Sequence, residues 1–171
     1  ALVLDDGATR YAIVTYDLNC LDVATPILRA RCMRELGISP ACLVLLATHN
    51  HLAPIQIAHE NYDYGRWLAE ELFALIQRAI DNLRGPAHLF FGCDRAYFLQ
   101  SNGSAPVDFE VQLLKATVGR SAIAMLFNHA THPARHTNDC YNASHPGYAL
   151  EELEARYPGA TPMYADACGG N

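Results

Sequence analysis

Two histidines stand directly after the most apolar run of the sequence, where that run becomes polar. The run covers residues 41–48, and His49 and His51 follow it with one residue between them. In an extended chain the side chains at i and i+2 point to the same side, so the two imidazoles could face one metal ion. Histidine is the commonest metal ligand in proteins. The alternative is a pair of surface histidines in a loop.

A second histidine segment follows another predicted strand in the same way. The strand covers residues 121–127, and His129 and His132 come after it. Pro133 favours an extended backbone at His132, which fixes that side chain at the strand end. We therefore expect the rings of His49 and His132 to lie within about 8 Å of each other, the range in which one metal ion can join them. His129 is either a group that supports a ligand or a buried core histidine, and the pattern favours the second.

Four further side chains are weaker candidates for a role at the metal site. His136 lies in a polar loop and His145 near a helix start, where a solvated side chain or a cap is the ordinary role. Asp17 and Asp166 each follow a predicted strand. Either carboxylate could hydrogen-bond a ligand histidine or cap the next turn.

The elements that must position these residues alternate between strands and helices. The predicted helices cover residues 26–36, 62–84 and 146–157, and the predicted strands cover 2–4, 11–18, 41–48, 87–100, 109–128 and 161–165. Thr25 is the predicted N-cap of the first helix, and Gly37 is its predicted end. This order predicts a single α/β domain over residues 1–171, with a mixed, partly parallel sheet flanked by helices. In such sheets ligands bind at the carboxyl ends of the strands, which is where we expect the metal site.

Composition excludes several classes of function. The formal charge of -6 and the pI near 5.7 argue against a nucleic-acid partner, which would need a basic face. No apolar run approaches the roughly 20 residues of a transmembrane helix. The six cysteines form no C-x-x-C pair, which favours free thiols and hence a reducing compartment such as the cytoplasm. If the natural protein has an N-terminal leader that this sequence lacks, we would instead expect a secreted or periplasmic protein. None of these features specifies an oligomeric state.

Four segments together resemble motifs of the neutral/alkaline (non-lysosomal) ceramidase family. Residues 48–54 (THNHLAP) resemble its T-H-T-H-S-x-P motif, and residues 128–133 (NHATHP) resemble an N-x-x-x-H-P pattern that ends an apolar strand. Residues 146–149 (PGYA) and 155–159 (ARYPG) match a helix and the turn after it, and residues 167–171 (ACGGN) are similar to the start of a small-residue loop. The order and spacing agree along nearly the whole chain.

The resemblance implies a zinc-dependent amidase that hydrolyses the N-acyl bond of ceramide or a related lipid amide. It implies that residues 1–171 are part of a larger catalytic domain. His49 and His132 would be ligands of Zn2+, and His51 would be a catalytic residue beside the metal that stabilises the oxyanion. The family's remaining ligands, a Glu and a Tyr, and its serine would lie beyond Asn171. Asn50 and Leu52 differ from the residues of the family motif at these positions. The difference bears on whether the substrate is a lipid more than on whether the site binds metal.

Extended geometry favours the catalytic role of His51. At roughly 3.3 Å per residue, the Cα atoms of His49 and His51 would be about 6.6 Å apart. Both rings could bind one ion only if the chain curled between them, which Asn50 permits.

Two other functions compete with the zinc amidase. One is another metallohydrolase, with two metal ions and with Asp17 and Asp166 as additional ligands. The other is a relative that binds or has a structural role without catalysis. The number of metal ions per chain separates the mononuclear from the dinuclear site. In each enzymatic case the partner is a small-molecule or lipid amide substrate.

Overall fold

The chain forms two compact units. The computed structural model describes residues 1–54, 59–99, 106–133 and 140–169. The first unit comprises residues 1–47 and 53–83, and the second comprises residues 48–52 and 84–171. Each unit has its own sheet and at least one helix. No described helix is both long enough and apolar enough to cross a membrane.

The first unit places two packed helices against a three-stranded sheet. Its strands are β1 (Leu2–Asp5), β2 (Arg10–Tyr16) and β3 (Leu43–Ala47), in the order β1-β2-β3. β1 pairs antiparallel with β2, and β2 pairs parallel with β3. The helices are α1 (Ala24–Arg31), which continues as a π-helical turn over Cys32–Leu36, and α2 (Tyr62–Asp81). Short 3₁₀ turns cover Pro40–Cys42 and His59–Asn61.

The apolar face of α2 supplies most of the helical part of this core. Leu68, Leu72, Phe73 and Ile76 are buried there, at the three- and four-residue spacing of one helix face. They pack with Leu28 of α1 and with the buried residues of β1 and β2. The burial of this stripe fixes α2 on the sheet.

The second unit is a four-stranded sheet with one crossover helix. Its strands are β4 (His88–Arg95), β5 (Glu110–Val118), β6 (Ser121–His129) and β7 (Thr161–Asp166), in the order β4-β5-β6-β7. The first three pair antiparallel, and β6 pairs parallel with β7. The parallel pair is joined through α3 (Ser144–Arg156), which contacts β7. Parallel strands need such a crossover because a hairpin turn cannot connect them.

The predicted α/β class is confirmed, but the strands form two mixed sheets where the sequence predicted one. β3 belongs to the first sheet and β6 to the second, so the strands that precede the two histidine segments are not in one sheet. Periodicity predicts where strands occur along the chain. The choice of pairing partner depends on contacts between distant segments, which periodicity does not encode.

Two local predictions in the first unit are also wrong. The N-cap of α1 is Val23, and Thr25 lies inside the helix, where its hydroxyl donates to the Leu21 carbonyl oxygen at 3.1 Å. The unbroken apolar run of residues 41–48 predicts a strand buried on both faces. Val44 of β3 is nevertheless 40% exposed. In the described part of the chain β3 lies at the edge of its sheet and pairs with β2.

Gly37 ends the first helical segment as predicted, and replacing it with alanine should destabilise the protein. Its φ is 68°, in the left-handed region, where a Cβ atom meets the following carbonyl oxygen. We expect Gly37→Ala to lower the free energy of unfolding by about 1–2 kcal/mol in urea titrations followed by circular dichroism. Gly92→Ala is the control, because Gly92 has no positive φ and a Cβ there meets nothing within 4 Å. Equal unfolding midpoints for the two variants would contradict this account.

Candidate metal centre

Three histidine rings converge in the second compact unit. The ring centroids of His49 and His132 are 4.9 Å apart. The ring centroid of His51 lies 4.7 Å from that of His49 and 5.0 Å from that of His132. One ring nitrogen from each lies within 4.8 Å of the others. The rings of His49 and His132 therefore lie as close together as expected, and the ring of His51 lies beside both.

The backbone curls at His49. Its φ is 59°, so the chain is not extended there, and the assumption of an extended i, i+2 pair is wrong. Histidine is among the residues that tolerate this left-handed conformation. The curl brings the Nε2 atoms of His49 and His51 to 3.3 Å. Two nitrogen ligands of a tetrahedral zinc ion, with Zn–N bonds of about 2.0–2.1 Å, are separated by about 3.3 Å as well.

A backbone carbonyl group sets the orientation of His132. Its Nδ1 lies 3.0 Å from the Gly169 carbonyl oxygen, which has no proton, so the Nδ1–H donates. The Nε2 of a neutral ring then carries the lone pair that a metal ion needs. Glycine at position 169 allows this approach, because a Cβ there would lie 3.2 Å from the Ala130 carbonyl oxygen and 3.3 Å from an Asp166 carboxylate oxygen.

Asp166 is in electrostatic contact with this cluster. Burial raises the pKa of its carboxyl group, while the nearby His49 and His132 lower it. Its Oδ1 is buried and has no hydrogen-bond partner in the described part of the chain. Among the described residues, the group that can share one ion consists of the three histidines and includes neither Asp166 nor Asp17. Asp17 lies in the first unit, directly after β2.

His129 and His145 belong to a hydrogen-bonded network around Tyr164. His129 is 5% exposed, and its Nδ1 bonds the Thr131 hydroxyl, which agrees with the predicted buried histidine. The buried hydroxyl of Tyr164 donates to the His129 carbonyl oxygen at 2.9 Å. Since that proton is used, the His145 Nε2–H donates to the Tyr164 hydroxyl oxygen at 3.2 Å.

The expectation of a solvated or capping His145 is therefore wrong. The side chain is partly buried, and its pKa is lowered by burial and by the nearby His129. No pattern in the sequence pairs it with Tyr164, because the two residues lie on α3 and β7 and meet only when the crossover has formed. His136 lies outside the described residues.

Comparisons of the chain with protein-family models, with curated protein sequences and with solved structures found no match. The resemblance to the ceramidase family therefore rests on the sequence motifs alone.

Replacing Tyr164 with phenylalanine should destabilise the second unit. The change removes the donor to the His129 carbonyl and leaves the partly buried His145 N–H without its acceptor. We expect a loss of about 1–2 kcal/mol in the free energy of unfolding, the usual cost of an unpaired buried polar group. Tyr148→Phe is the control, because Tyr148 is 70% exposed on α3. If both variants unfold with the parent midpoint, the Tyr164 hydroxyl contributes nothing to stability.

Proposed function

We propose that the protein is a zinc-dependent hydrolase that cleaves an N-acyl amide bond, in ceramide or a related lipid amide. The observation that carries the proposal is the convergence of His49, His51 and His132, whose ligand atoms lie within 4.8 Å of one another. Histidine is prominent among the ligands of catalytic zinc, and such sites leave one coordination position for water or substrate. The donor set therefore fits zinc, and the resemblance to ceramidases supports the amide substrate.

Two of the histidines have clear roles in this proposal. His49 and His132 hold the ion, and the hydrogen bond from His132 Nδ1–H to the Gly169 carbonyl keeps the ring nitrogen Nε2 available. Zinc in such a site polarises the substrate carbonyl and lowers the pKa of a water molecule to about 7. The chain itself supplies the fixed ring orientations.

His51 has two possible roles, and they predict different behaviour. As the resemblance implies, its ring N–H donates to the oxygen of the amide carbonyl as negative charge develops there, an effect worth about 3 kcal/mol for one donor. Its 3.3 Å separation from the His49 ring nitrogen also suits a third zinc ligand. We adopt the first role, and the zinc content of a His51 variant distinguishes them.

His132→Ala should lose tightly bound zinc and keep its fold. The side chain is exposed at the loop after β6, so its removal leaves the cores intact while it deletes a ligand. The measurements are metal content by elemental analysis after dialysis and secondary structure by circular dichroism. The control is His88→Ala, which removes an exposed histidine of β4 in the same unit.

We expect one zinc ion per parent chain and per His88→Ala chain. Parent-level zinc in His132→Ala would refute the assignment of this ligand. Two ions per parent chain would instead favour the dinuclear hydrolase, with Asp17 and Asp166 as the residues to test next.

His51→Ala should retain zinc and lose turnover. The parent for this assay carries residues 1–171 within the larger catalytic domain that the resemblance implies. With a fluorogenic N-acylsphingosine as substrate, we expect it to release the fatty acid and a chelator to stop it. The kcat of His51→Ala should fall by about 10²–10³, the usual loss for one oxyanion donor. His88→Ala should match the parent in kcat.

Each failure in this experiment has a distinct meaning. A metal-free His51→Ala protein makes His51 a ligand. A zinc-loaded parent that hydrolyses no N-acyl amide refutes the proposed reaction and supports a binding or structural relative.

A further inference from the structure

Asn50 lies between the two histidines of the curled segment and is almost wholly buried. It is 3% exposed, whereas the histidines on either side are partly exposed. A buried amide side chain must have hydrogen-bond partners, because its desolvation is costly otherwise. The partners of Asn50 therefore indicate what the residue does.

The two ends of the Asn50 amide hold two different pieces of backbone. Its Oδ1 accepts from the Leu52 N–H at 2.7 Å, which closes the turn that carries His51. Its Nδ2–H donates to the Asn142 carbonyl oxygen at 2.8 Å, 92 positions along the chain. The first bond sets the shape of the turn, and the second fixes the turn to the segment before α3.

The acceptor of the second bond is itself held in place. The Asn142 side-chain oxygen accepts from the Ser144 N–H at 2.6 Å, and Ser144 is 4% exposed with a φ of 52°. Asn50 is thus bonded to a segment of the same compact unit that has a hydrogen-bonded turn of its own.

We infer that Asn50 is a positioning residue that holds His49 and His51 at one metal site. His49 has the left-handed conformation that L-residues disfavour, so the turn would relax towards extended backbone without a restraint. Relaxation would move the ring of His49, a ligand in the proposed site, away from the ring of His132, whose centroid lies 4.9 Å from its own. It would also separate His49 from His51, whose Nε2 atoms now lie 3.3 Å apart. Asn50 acts through these rings, because its two hydrogen bonds restrain the backbone turn that carries them. The inference rests on the proposed zinc site.

The test is the zinc affinity of Asn50→Ala in the full chain, measured by competition with a chromophoric chelator. We expect the dissociation constant to rise 10–100-fold, as for other residues that orient metal ligands. Asn50→Ser should lie between parent and alanine variant, because a serine hydroxyl can still accept from the Leu52 N–H but is too short to reach Asn142. The matched control is Asn82→Ala, which removes an Nδ2–H bond of 2.7 Å to the Arg78 carbonyl in the first unit and should leave affinity unchanged.

A second measurement does not depend on metal. In the metal-free parent, NMR should detect cross-relaxation between the ring protons of His49 and His51, whose centroids are 4.7 Å apart. The signal should disappear in Asn50→Ala and weaken in Asn50→Ser.

The two measurements separate the inference from the proposed function. A parent that shows the ring contact but binds no zinc refutes the zinc site and leaves the positioning role intact. Parent-like affinity and an unchanged ring contact in Asn50→Ala overturn the positioning role. If the alanine variant does not fold, parent-like values in Asn50→Ser overturn the role of the Asn142 bond.

Discussion

A left-handed residue, His49, two positions after the end of β3, determines the geometry of the histidine cluster. An extended backbone would hold the rings of His49 and His51 apart. The φ of 59° at His49 instead turns the two rings toward each other. This conformation is unfavourable for an L-residue by itself, so the surrounding contacts must compensate for it. The buried amide of Asn50 supplies two of those contacts, to Leu52 and Asn142.

The parallel pairing of β6 and β7 determines the position of the third histidine. His129 and Asp166 are partners in this register, so the segments that follow the two strands leave the sheet side by side. That arrangement brings the Gly169 carbonyl to the ring of His132. The same pairing places Tyr164 where its hydroxyl reaches the His129 carbonyl, which fastens the end of β6. Strand pairing and side-chain hydrogen bonds thus act together on the orientation of His132.

The electrostatics of the cluster are suited to a cation. An imidazole in its neutral form offers a lone pair to a cation without adding charge. The partly buried carboxyl group of Asp166 lies close enough for His49 and His132 to lower its pKa. Burial favours the protonated form of that carboxyl, and positive charge nearby favours the ionised form. A divalent ion at the histidines would act in the same direction as the positive charge and favour the carboxylate.

Features that depend on neighbouring residues could be predicted from the sequence alone. The α/β class followed from the alternation of apolar patterns, the helix end at Gly37 from the conformational freedom of glycine, and the candidate ligands His49 and His132 from their places after apolar strands. Tertiary contacts determine the division of the described strands into two sheets, the exposed edge position of β3 and the bond between His145 and Tyr164. They also determine the curl at His49, because a left-handed residue in a turn depends on partners such as Asn142, which is distant in sequence. Local patterns reflect the preferences of adjacent residues, whereas these features arise from contacts that exist only once the chain has folded.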